Sequence, residues 1–185
     1  MRGINQINLV LSQGIDGLGS SNPGSTTLSR ANGRPDFTKF EATFSRLQPL
    51  PGNVSVLLAA YGMWSRTPLL APELCGYGGR AFGRAFDPSE LVADTCVELL
   101  AELRYDIPHT FTWVSQLQLY SFADRGWLHN LAPVAGTPEN VDGASVGGGL
   151  RLGLQPGVAV DLSAAKGVAG IRDDWRFFFI ATGRY

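Results

Sequence analysis

Glu73 to Tyr105 reads ELCGYGGRAFGRAFDPSELVADTCVELLAELRY, and the alternation at its end decides the fold. Leu99, Ala101, Leu103 and Tyr105 fall on one face, while Glu98, Glu102 and Arg104 fall on the other. That is the period-two signature of a β-strand whose faces meet different surroundings. The glycine pair and the Arg-Ala-Phe tip ahead of it read as a long loop feeding the strand. The fold class turns on which solvent each face meets.

Composition narrows the classes. The chain has 185 residues, 44% of them apolar, and its net charge of −1 leaves no basic footprint for nucleic acid and no polybasic lipid patch. Its 23 glycines, 11 prolines and 10% aromatics suit short strands joined by turns. The longest apolar run, Val54 to Trp64, is shorter than the roughly 18 to 20 residues of a membrane-spanning helix. Asn5, Gln6 and Asn8 interrupt what would be the apolar core of a secretory signal, so the chain either stays inside the cell or lacks its front.

The pattern predicts about eight strands, near Ile4 to Gln13, Phe37 to Leu47, Val54 to Trp64, Cys96 to Tyr105, Thr110 to Phe122, Ala144 to Leu154, Val158 to Ala165 and Trp175 to Tyr185. Tight turns at 47–53, 106–109 and 155–157 alternate with long polar connections at 14–36, 65–95, 123–143 and 166–174. Short on one rim and long on the other is the habit of outer-membrane barrels. The faces agree: Phe40, Ala42 and Phe44 oppose Lys39, Glu41, Thr43 and Ser45, and Phe111, Trp113, Leu117 and Leu119 oppose Thr112, Gln116, Gln118 and Asp124. A soluble sandwich would show the same period with its apolar face inward, so alternation alone leaves the two readings even. The last strand separates them. Trp175, Phe177, Phe179, Ala181, Gly183 and Tyr185 share one face, which is an aggregation hazard in water and a lipid-facing surface in a barrel. The reading is all-β, an antiparallel transmembrane β-barrel.

With SRLQPLP (45–51), PLLAPELCGYGGRAFGRAFDPSELVAD (68–94), ELRYD (102–106) and FADRG (122–126) in this order, the chain resembles the two-partner secretion transporters, the haemolysin secretion/activation proteins. The resemblance implies an outer-membrane location and a barrel of about sixteen strands, of which this chain supplies the C-terminal half across residues 1–185. The family's signal peptide and two periplasmic polypeptide-transport-associated domains have no counterpart here, so a fragment is expected, from a split or truncated gene or a start misplaced at Met1.

The implied function is secretion and activation of a large haemolysin- or adhesin-type partner, with no catalysis, cofactor, metal or nucleic acid. Outer-membrane lipid and the barrel-assembly machinery are the other partners, and Tyr185 would be the terminal aromatic that the machinery reads. An assembly insertase of the same superfamily, or a stand-alone eight-stranded structural barrel, is the alternative.

By the same resemblance Gly78, Gly79, Gly83, Arg84, Phe86 and Asp94 form the pore-loop motif, and Phe122, Asp124 and Gly126 anchor it from a strand. Arg84 is expected to pair with Asp124, which shares the inward parity of Gln116 and Gln118. Ala85 stands where the family tip has glycine, a change that costs on the order of 1 kcal/mol or more where φ is positive. Ala93 likewise replaces a glycine before Asp94. Cys75 and Cys96 bracket the loop; in an oxidising compartment they could close about 20 residues with a disulfide, or they are two unrelated small residues. His109 and His129 have no cysteine or carboxylate at metal-ligand spacing. Gly147 to Gly149 lack the lysine and helix of a phosphate loop and suit a bend or aromatic packing.

Overall fold

Alternating apolar and polar residues pair across strands so that like meets like. In a computed structural model, which describes residues 2–17 and 24–183, eight long strands make one antiparallel sheet. They are β1 (Ile4–Gln13), β2 (Thr38–Leu50), β3 (Val54–Ser65), β6 (Thr95–Asp106), β7 (Val114–His129), β8 (Asn140–Leu154), β9 (Val158–Ala169) and β10 (Trp175–Gly183). Each pairs with the next long strand in the chain. Two short strands, β4 (Cys75–Tyr77) and β5 (Leu91–Ala93), pair with one another inside the β3–β6 connection, after a 3-10 turn at Ala71–Glu73. Among the described residues, β1 and β10 each pair with a single neighbour. Tyr185 lies outside the described residues.

One row of cross-strand partners runs Tyr105, Leu119, Leu150, Leu162, Phe179. It is apolar throughout, with Leu162 46% and Phe179 69% exposed. A row of the opposite parity runs Glu102, Phe122, Gly147, Ala165, Arg176, and Glu102, Phe122 and Ala165 are buried. The exposed face is therefore the apolar one. Such a face is favoured out of water, since removing apolar area from water is worth about 25 cal/mol per Å².

The charged face is not simply wet. Tyr77, Ala85, Phe86, Leu91 and Ala93 of the β3–β6 connection pack with Cys96, Leu100, Tyr120, Phe122, Leu128 and Ala165 of the sheet in one buried cluster. The core thus sits between the loop and the sheet's inner face. Gly147 and Gly149 lie opposite Phe122 and Tyr120. A Cβ at Gly147 would meet the Phe122 ring at 2.6 Å, so these glycines make room for aromatic packing.

The structure corrects the fifth predicted strand. Thr110 to Trp113 form a turn, with Ile107 N–H donating to Leu117 O at 2.8 Å and the His109, Phe111 and Trp113 rings packed in series. The strand begins at Val114 and continues to His129, which places FADRG inside it. The connections expected at 123–143 and 166–174 shrink to 130–139 and 170–174. The contrast between rims therefore rests chiefly on 14–37 and 66–94.

Leu162→Arg, in the middle of the exposed row, is expected to lower stability in lipid vesicles by about 2 to 4 kcal/mol, read by denaturant titration of the folded, heat-modifiable form. An unchanged midpoint would mean that this face does not meet lipid.

Candidate functional site

The loop tip is built on Asp124. This buried carboxylate accepts from the Tyr77 hydroxyl (2.6 Å), the Ser145 hydroxyl (2.7 Å), the Gly83 N–H (3.0 Å) and the Arg84 N–H (3.5 Å). Burying a turn strands its backbone donors unless an acceptor is supplied, and Asp124 supplies one. Gly78 and Gly79 begin the turn, with Gly79 N–H reaching Gly83 O at 3.2 Å. Gly126 is explained by contact: a Cβ there would sit 2.4 Å from the Tyr77 ring. Phe86 meets Tyr77 edge to face at 5.2 Å. Ala85 is fully buried, and among the described residues the non-glycine positions with positive φ are Asn53 and Ser89. The conformational cost expected of the replaced glycine does not arise.

The Arg84 side chain does not pair with Asp124 as expected. Its guanidinium meets Glu102 at 2.6 Å and lies over the Phe122 ring at 4.3 Å, within cation–π range. Asp124 is already filled by four donors to its two oxygens, whereas Glu102 on β6 faces the same space. Glu102 also receives Arg104 (2.7 Å) and Arg151 (2.9 Å), and its side chain is wholly shielded from solvent. Arg151 in turn reaches Asp161 at 3.3 Å and covers the Tyr120 ring at 3.8 Å. Parity placed Glu102 and Arg104 on one face; nothing in the sequence showed that they share one point with Arg84 and Arg151.

The root of the loop is fixed separately. Asp94 is buried and held by Arg30 through both carboxylate oxygens, and it accepts from the Leu69 N–H (2.7 Å) and the Leu131 N–H (2.8 Å). Three connections, 14–37, 66–94 and 130–139, meet on it. Arg30 sits in a connection without periodicity, so no sequence signal pointed to it. A disulfide joins Cys75 of β4 to Cys96 of β6, with Cα atoms 6.3 Å apart. Glu98 lies close enough to both sulfurs to complete a metal-ligand group, but bonded sulfurs offer no thiolate.

Charges also tie the loop to both flanks. Lys39 of β2 meets Glu73 at 3.0 Å. On the other flank Arg176 of β10 meets Asp87 at 2.5 Å, and Arg172 bridges Glu90 (2.8 Å) and Asp87 (3.1 Å). The hydrogen bond from Arg176 holds the Asp87 carboxyl below its ordinary value.

A profile of the haemolysin secretion/activation protein family ShlB/FhaC/HecB matches residues 1–152. The chain belongs to this family. Family membership and the all-β antiparallel sheet indicate an outer-membrane β-barrel protein, which accounts for the uncovered apolar face. Among solved structures, CdiB from Escherichia coli has the same fold, with a TM-score of 0.79 at 19% identity over 97% of this chain. The chain spans 34% of the length of CdiB. No curated protein matches the sequence.

A double-mutant cycle of Arg84→Met with Glu102→Gln, read as protection of residues 79–89 from protease, is expected to give a coupling of about 0.5 to 3 kcal/mol, against about zero for Arg84→Met with Asp124→Asn. Equal couplings would restore the pairing expected from the motif. Mass spectrometry under non-reducing conditions should find Cys75 and Cys96 linked, and replacing both by serine should cost on the order of 3 kcal/mol. Two free thiols would exclude the bond.

Proposed function

We propose that this chain is the C-terminal half of an outer-membrane barrel of about sixteen strands, which secretes and activates a large haemolysin- or adhesin-type partner without catalysis. The observation that carries the reading is the loop at 66–94, folded onto the charged face of the sheet and held there by ion pairs and hydrogen bonds to β2, β6, β7 and β10. A polar face occupied by a segment fixed largely through charged contacts has two states open to it, loop docked and loop displaced, and a partner polypeptide that binds the displaced state better shifts the balance toward it. Family membership supports transport as the purpose of that shift. The unpaired edges of β1 and β10 fit completion of the barrel by further strands. In this reading Lys39, Glu41, Gln116, Gln118 and Arg151 wet the conduit, and the outer surface meets lipid.

In cells that make the transporter and its partner, Glu102→Gln leaves Arg84, Arg104 and Arg151 without their common anion. It is expected to lower partner secretion about tenfold or more while the heat-modifiable barrel stays at its normal level in the outer membrane. Secretion at the unaltered level would remove the docked loop from the mechanism. Defective assembly of other outer-membrane proteins, with secretion intact, would favour the insertase.

A further inference from the structure

A cavity of about 190 Å³ lies between the loop tip and the inner faces of β7 to β10. Phe86, Phe122, Phe178 and Ile180 give it an apolar wall, and Arg80 and Arg176 also line it. Most of the charge around it is answered. Arg84 shares Glu102, Arg151 has Glu102 and Asp161, and Arg176 has Asp87. Arg80 differs. Its carbonyl accepts a hydrogen bond from Arg84, but its exposed guanidinium has no carboxylate or hydrogen-bond acceptor among the described residues. The cavity therefore combines one unanswered guanidinium with an aromatic and aliphatic wall.

We infer that this cavity is a subsite for an extended polypeptide segment carrying an acidic side chain beside an aromatic or aliphatic one; the inference deepens the reading of the chain as a protein conduit and rests on it. The space suits one or two side chains, not a folded domain. A guanidinium is weakly hydrated and binds carboxylate with a planar pair of donors, and the neighbouring apolar residue gains by leaving water. Arg80 belongs to the loop, while Phe178 and Ile180 belong to β10. A segment bound here bridges the two, so it recognises the docked loop, as a first contact distinct from the later stretch of partner that favours the displaced state.

The test is fluorescence anisotropy of a labelled, end-blocked peptide, Gly-Ser-Asp-Phe-Ser-Gly, with the full chain folded in zwitterionic detergent. Replacing the peptide's aspartate by asparagine is expected to weaken binding about tenfold, and Arg80→Gln is expected to do the same, with Arg80→Lys restoring much of it. Combining the asparagine peptide with Arg80→Gln should lose little more, since both remove one contact. The Arg80 guanidinium is exposed and has no partner among the described residues, so an unchanged heat-modifiable band serves as the folding control. Equal binding of the two peptides, no effect of Arg80→Gln, or displacement of the peptide by anionic lipid at the same site would each overturn the proposal. Peptide binding and partner secretion are separate readouts, so a failed subsite leaves the conduit reading standing, and a failed secretion test leaves the subsite standing.

Discussion

Glu102 is the anion on which the interior depends. Arg84 from the loop, Arg104 from its own strand and Arg151 from β8 converge on it. A carboxylate with no exposed surface is tolerated only when it is paired and hydrogen-bonded. The arginines outnumber it, and the surplus charge is spread over Asp161 and the rings of Tyr120 and Phe122. This arrangement brings the loop tip within reach of the sheet, and only then do Tyr77, Ala85 and Phe86 find apolar partners.

Asp124 has a different task. It takes backbone and hydroxyl donors from the tip, which keeps the turn at Gly83 from burying N–H groups without acceptors. Two acidic residues on adjacent strands thus divide the work, one receiving a side-chain charge and the other a backbone turn. Gly126 completes the seat, since the Tyr77 ring occupies the volume that any side chain there would need.

Strands such as β2 and β6 were legible because period-two alternation is clear along them, and β1 runs over the residues that its pattern marks, Ile4–Gln13. The fifth strand misled because Phe111 and Trp113 continue the apolar parity ahead of the strand, where their rings pack against each other at a tilt. FADRG was expected to act from a strand although that strand was drawn to end at Phe122; in place, Asp124's donors, the Arg125–Asp142 pair and the Tyr77 ring account for its last three residues. The site was half legible. Motif residues identified the tip and its seat, while Arg84's true partner and the meeting of Arg30 with Asp94 depend on which segments come together, and that is a property of tertiary structure alone.

The root of the loop has a mechanical consequence. With Cys75 bonded to Cys96 and Asp94 holding three connections between them, residues 76–95 form a closed macrocycle attached to the barrel wall. Such a segment cannot be reeled out as a linear thread. Displaced in the way proposed, it would swing about that root as a pivot and uncover the part of the sheet's inner face that it covers when docked.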